Sequence, residues 1–355
     1  MFENKYEKIT FLALGVLFVV IFPVGNLMGF ISPNTISLWG RYFCFAIAAI
    51  GIDLIWGYTG ILSMCQAFFF CLGGYSIAMH MLLSASGKGT YGAAIPDFMV
   101  WNGVEKLPWF WELFHSFVPS VFFAIVIPAI LAGLFGYFVF RSRLKGVYFA
   151  IITQALALAV WLIFLRNETM LGGTNGLTDF KILLGFDLTK ANVKLSLYMI
   201  SLTVLILAFY YCTRLVNSKF GKVLTAIRDS ETRVGFTAYH VMDYKLAIFI
   251  ISAMLAAVGG ILYVPQTGII TPGLMDVTSS VEMVMWVALG GRGKIKGALI
   301  GALLVNFVYS ICTSMFPGSW LYILGIMFIV TVLFFDKGFM GLFELKTKKL
   351  VTETK

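Results

Sequence analysis

The chain is a succession of long apolar runs broken by short polar ones. Ten runs are oily enough to read as membrane-crossing helices: Phe11–Phe30, Ser37–Trp56, Leu62–Leu83, Phe117–Phe140, Val147–Leu165, Leu195–Cys212, Leu246–Val264, Ser280–Gly290, Ala298–Phe316 and Leu321–Phe335. Roughly 20 apolar residues carry a helix across the hydrocarbon layer. The eighth run is short and reads as a broken or half-crossing helix. The ~10-residue alternation of barrel strands is not seen. The first run is too long for a cleaved leader, and no small-residue cleavage site follows it, so it is expected to remain as a helix. The pattern predicts an all-α polytopic membrane protein of about ten crossings. Residues 1–345 form a single membrane domain and 346–355 a tail, with no soluble domain large enough to fold alone.

Composition agrees: the 355 residues are 60% hydrophobic and 12% charged. Charge then sets orientation. With the N-terminus inside, ten crossings put segments 1–8, 141–145, 213–245, 292–296 and 336–355 in the cytoplasm, and these hold 19 of the 26 Lys and Arg residues. Such a bias is what the positive-inside rule requires, and both termini are expected in the cytoplasm. The net charge of +9 is accounted for by membrane orientation, so the partner it implies is the lipid bilayer and not nucleic acid. The five cysteines lie in or at the ends of apolar runs without a CxxC pair, and the three histidines are isolated. They read as inert thiols, with neither a disulfide framework nor a metal site.

Two outer loops follow. Residues 84–116 include "IPDFMVWNGVEKLPWFWELF", rich enough in Trp and Phe for short helices at the membrane interface. Residues 167–194 contain "GGTNG", which is turn chemistry.

Against this oily background "SKFGKVLTAIRDSETR" (218–233) is dense in mixed charge: Lys219, Lys222, Arg228, Asp229, Glu231 and Arg233. On a helix Lys222, Ala226 and Asp229 recur at spacings of four and three, Val223, Leu224 and Ile227 make an apolar strip, and Arg228 and Glu231 are three apart, close enough for an ion pair. Such a helix either lies flat on headgroups or docks in the groove of a soluble partner. The mixed signs disfavour a purely electrostatic hold on anionic lipid.

Ionisable groups within apolar runs are informative because each costs roughly 2.5–3.5 kcal/mol at a helix centre. Asp53, three residues before the end of its run, is placed to reach the headgroups. Glu282, at the start of the short eighth run, either caps that helix, makes a structural pair or lies on a solute pathway. His80 reads as a satisfied interior group. Gln66, Thr153, Gln154, Trp161 and Asn175 are the carboxamide, hydroxyl and aromatic types that a route for a small polar solute needs, although packing between helices serves equally for Thr153 and Gln154. The glycines of "CLGGY" and "AAVGGIL" are expected to let helices approach closely.

The stretch "SKFGKVLTAIRDSETRVGFTAYHVMDYKLAIFIISAMLAAVGGILY" resembles the coupling-loop region of ABC importer permeases of the branched-chain amino acid class, as do "WGYTGILSMCQAFFFCLGGY" and "SSVEMVMWVALGGRGKIKGALIGALLVN". The likeness is closest to the urea-type branch, through "FRSRLKGVYFAIITQALALAVWLIFLRN" and "GGTNGLTDFK". Many relatives have a Gly-His pair where this chain has Cys65 and Gln66, and a Gly at Ala238. The resemblance implies a permease subunit in a bacterial inner membrane, importing urea and working with a second permease chain, two cytoplasmic ATPase subunits and a periplasmic binding protein. It also implies that Lys222, Ala226, Arg228, Asp229, Glu231 and Arg233 couple to those ATPases. ATP and Mg²⁺ are then used by the partners: "GGRGKIKG" lacks the spacing and the hydroxyl residue of a phosphate loop and reads as a tight turn. No catalytic residue is expected. Import of branched-chain amino acids is the nearest alternative, and an ion-coupled secondary transporter or channel is the alternative from another class.

Overall fold

The computed structural model of the protein describes residues 5–86, 92, 95–104, 106–142, 146–178, 180–316, 318, 322, 323, 325, 326, 329 and 338–341. Among these it holds eight helices long and apolar enough to cross a membrane. The first is continuous over Lys8–Leu27, with a π-helical turn at Leu17–Ile21 between α1 (Lys5–Val16) and α2 (Phe22–Leu27). The others are α3 (Pro33–Thr59), α4 (Gln66–Ala85), α7 (Phe117–Arg141), α8 (Val147–Phe164), α9 (Ala191–Asn217), α11 (Val241–Thr267) and α13 (Ile295–Met315). The short eighth run is α12 (Val277–Gly290), 14 residues long. Most of the expected tenth crossing, Leu321–Phe335, lies outside the described residues. The interface loop contains two short helices, α5 (Asp97–Trp101) and α6 (Trp109–Glu112), and the charged run is α10 (Lys219–Gly235). The one strand pair among the described residues is a hairpin of β1 (Ile182–Leu183) and β2 (Phe186–Asp187) in the second outer loop.

Helix ends follow local chemistry. Ser32 caps α3 by accepting from Thr35 N at 3.2 Å, Pro33 occupies its first turn, and Gly60 closes it at φ 76°. Asp276 starts α12, with Oδ1 accepting from Val277 N at 2.6 Å. Glu282 therefore lies beyond the first turn, and the capping role open to it in the sequence belongs to Asp276.

Burial sorts the helices into layers. In α3 and α4, 78% and 83% of the apolar window is buried against protein, whereas α7 and α8 bury 22% and the first crossing 6%. The bundle thus has α3, α4 and α11 at its centre and the others towards lipid. Apolar side chains gain little by leaving lipid for protein, so close backbone packing must hold the centre together. A methyl group added at Gly260 of α11 would sit 1.8 Å from Phe70 O of α4, and one at Gly73 would sit 2.2 Å from Ala257 O. Both glycine pairs are contact points, as their sequence suggested. Ser252 Oγ donates to Gly51 O at 2.6 Å, joining α11 to α3.

Two opposite ends are defined by contacts. At one, α10 meets the end of α3, the start of α11 and the turn between α12 and α13. At the other lie α5, α6 and the hairpin, with Leu177 and Ile270 exchanging backbone hydrogen bonds of 2.8 and 3.0 Å. His80 is a satisfied interior group there, its Nδ1 2.9 Å from Phe114 O.

Candidate functional site

The α10 end is bolted together by charged residues. Val223, Leu224, Ile227 and Val234 of α10 are buried, as the apolar strip requires, while Lys222, Ala226, Asp229 and Arg233 face outward. Ser230 is not helical (φ −160°, ψ 92°), so α10 breaks there. The expected Arg228–Glu231 ion pair is not made, and the two residues on either side of the break take other partners. Arg228 Nη1 donates to Gly57 O of α3 at 2.9 Å and its Nε lies 3.1 Å from Asp229. Glu231 instead takes the ammonium of Lys245 of α11 at 2.6 Å, and that lysine side chain is only 8% exposed. A cavity of about 290 Å³ lies beside this junction, lined by Thr59, Phe149, Ile227, Ser230 and Glu231 among others.

One turn before Gly57, Asp53 is fully buried within the protein. Its Oδ1 accepts from Gly293 N at 2.7 Å, so α3 holds the "GGRGKIKG" turn. Gly291 and Gly293 take φ values of 117° and 78° in that turn, which side chains other than glycine rarely adopt. Arg292 lies 5.2 Å from the centre of the Trp56 ring. Helix α10, the central helix α3 and the turn therefore meet at residues 53–57.

At the opposite end a basin of about 400 Å³ is lined by Asn34, Ser37, Arg41, Lys181, Thr189, Lys194 and Gln266 among others. Lys194 Nζ donates to Asn34 Oδ1 at 2.9 Å. Beside the basin, Asp187 accepts from Thr189 Oγ1 and Thr189 N at 2.7 and 2.9 Å. These bonds, helped by Lys190 and Lys181, hold its carboxyl below the ordinary carboxylate range. A second cavity, about 260 Å³, lies among α3, α11, α12 and α13 and is lined by Arg41, Tyr42, Tyr263, Glu282, Trp286 and Asn306 among others. Arg41 borders both spaces.

The pathway candidates from sequence are dispersed. Glu282 lines the second cavity. Gln66 and Thr153 flank the segment that joins α3 to α4: Thr153 Oγ1 accepts from Met64 N at 3.0 Å and donates to its own helix, while Gln66 Nε2 reaches Ser63 Oγ at 3.5 Å. Thr153 is thus used in packing. Gln154 and Trp161 are half-buried on α8, and Asn175 is exposed in the outer loop. Arg41 and Lys245 escaped sequence reading; a basic residue inside an apolar run was the available signal for Arg41.

Eight crossing-length helices, an amphipathic helix fixed to their centre at one end and a polar basin at the other describe a membrane permease. The chain belongs to the family described as branched-chain amino acid transport system / permease component, whose model matches residues 34–333, and it is an ABC-type transport subunit. The high-affinity branched-chain amino acid transport system permease protein LivM of Escherichia coli is 22% identical over 326 residues, covering 85% of this chain and 69% of the relative. A probable branched-chain amino acid transport permease protein LivM of Methanocaldococcus jannaschii is 25% identical over 305 residues, 83% of this chain and 85% of its own length. The ribose import permease protein RbsC of Haemophilus influenzae is 20% identical over 359 residues, 97% and 95% of the two chains. No solved structure matches the chain.

Proposed function

We propose that this chain is the membrane-spanning permease subunit of an ATP-driven importer that carries urea across a bacterial inner membrane into the cytoplasm. The observation that carries the import mechanism is the attachment of α10. Its inner side is pinned to α3 through Arg228 and Gly57, and to α11 through Glu231 and Lys245. Its outer side leaves Lys222, Ala226, Asp229 and Arg233 for a partner. A push on α10 is therefore delivered to the two central helices, on which both cavities are built. The partners are two ATPase subunits, which use ATP and Mg²⁺ at the α10 end, a second permease chain alongside, and a periplasmic binding protein at the basin. The urea assignment rests on the likeness of the chain to the urea-type branch. Branched-chain amino acids are the second reading, favoured by the names of the relatives.

The test is uptake of labelled urea and labelled leucine by proteoliposomes holding the complete complex, with and without ATP. ATP-dependent accumulation of urea above leucine is the expected result. Preferred leucine uptake replaces urea with the second reading, and transport that is indifferent to ATP removes the importer reading altogether.

A further inference from the structure

Arg41 and Glu282 carry opposite charges and line one cavity inside the bundle, yet they are not paired. Neither has an ion pair or a side-chain hydrogen bond among the described residues, and the Nε of Arg41 is buried without a partner. Charges within the membrane zone ordinarily pair with one another or face a water-filled route, and leaving one of them unmatched is costly. Helix architecture does not account for the carboxylate either, since Asp276 caps α12.

The rest of the wall supplies the other elements of a small-solute site. Tyr42, Tyr263 and Trp286 give flat aromatic surfaces. Asn306 commits its amide nitrogen to Ala302 O at 2.8 Å, which leaves the amide oxygen as an acceptor. The basin at the loop end, with Lys181 and Lys194, reaches the same Arg41 from outside. Basin and cavity thus share Arg41, while Glu282 lines the cavity alone. We infer that Arg41 and Glu282 are the specificity-determining pair of a solute site in this cavity, bridged by a small molecule with an accepting oxygen at one end and N–H donors at the other. The guanidinium fork takes the oxygen and the carboxylate takes the N–H groups. Urea meets this description as a neutral molecule and an amino acid meets it as a zwitterion. The inference rests on the importer reading for the direction and driving force of transport.

The experiment measures KM for ATP-dependent uptake of urea and of leucine in the reconstituted complex, using wild type, Arg41→Gln, Arg41→Lys and Glu282→Gln. Loss of one charge-assisted hydrogen bond raises KM about 10- to 100-fold, and Arg41→Gln is expected to do so for the transported solute. Arg41→Lys keeps the cation but loses the fork, so it gives an intermediate rise and serves if Arg41→Gln assembles poorly. Glu282→Gln separates the two solutes. Gln retains an accepting oxygen for urea, so its KM rises less than tenfold, whereas an ammonium loses its counter-charge and its KM rises more than tenfold. Wild-type uptake with KM unchanged within twofold in Arg41→Lys and Glu282→Gln would overturn the site, as would variants that lose only assembly with the second permease chain. No ATP-dependent uptake by wild type would remove the importer reading and this site with it.

Discussion

Asp53 shows how a charge in an apolar helix acquires a structural task. Its neighbours are oily and its side chain is sealed from solvent, so the carboxylate is tolerable only with donors supplied by the fold. Gly293 N supplies one, from a turn 240 residues along the chain. Asp53→Asn keeps an accepting oxygen at the same place and is expected to melt close to wild type in detergent. Asp53→Leu leaves the Gly293 amide without that partner at a cost of about 1–3 kcal/mol. Thermal denaturation of the two variants checks this, and equal loss in both would mean that charge, not the hydrogen bond, is what position 53 provides. Lys245 is the comparable cation: it enters the bundle because Glu231 meets it at 2.6 Å.

Among elements, the decisive contact is α4 against α11. Backbone atoms of the two helices come so close at Gly73 and Gly260 that no side chain fits between them. Gly260→Ala must push the helices apart and is expected to cost about 1–3 kcal/mol, the usual penalty of overpacking. Gly15→Ala is the control, since an added methyl group there meets nothing within 4 Å, and it should stay within about 0.5 kcal/mol of wild type. The fraction of monodisperse protein after extraction and the melting temperature report both effects; a Gly260→Ala protein as stable as Gly15→Ala would contradict the packing. Helix α10 depends on its break at Ser230 in a different way. Before the break Val223, Leu224 and Ile227 are buried, and after it Glu231 meets Lys245 of α11.

For the whole molecule, the import reading requires that α10 face the compartment that holds ATP. Single cysteines at Lys222 and at Asn175, both exposed and at opposite ends, test this in intact cells with a membrane-impermeant maleimide in a background lacking the native cysteines. Labelling at 175 and protection at 222 until the cells are opened is the expected outcome. Reagent reaching position 222 from outside would invert the protein and leave the lever without a motor. The same geometry gives the ends separate duties. Basin and second cavity share Arg41 near one end, the anchor at residues 53–57 sits at the other, and both are on α3. A single central helix thus joins the two cavities at one end to the α10 junction at the other.

Eight of the expected crossings, their order and the amphipathic charged run were legible in the chain because each depends on residues near one another in sequence. The exclusion of polar groups by a bilayer acts on each 20-residue window in turn, and an apolar strip declares itself by helical spacing. The glycine contacts of α4 and α11 were legible for a related reason: paired small residues in an apolar helix have few other uses. Partnership is not local, and there the sequence fell short. It allowed Arg228 to pair with Glu231 by assuming an unbroken helix, it did not foresee the Gly293 amide as the partner of Asp53, and it left Glu282 between a cap, which Asp276 provides, a structural pair and a pathway role. A turn at Leu184 and Gly185, both at positive φ, hid the hairpin, since leucine takes the place before glycine where Asn, Asp or Gly ordinarily marks such a turn. Which charges meet, which line a cavity without pairing, and which helix joins the cavities to the α10 junction were settled only when segments far apart in sequence packed together, because a hydrogen bond or ion pair is a short-range contact whose distance the order of residues does not fix.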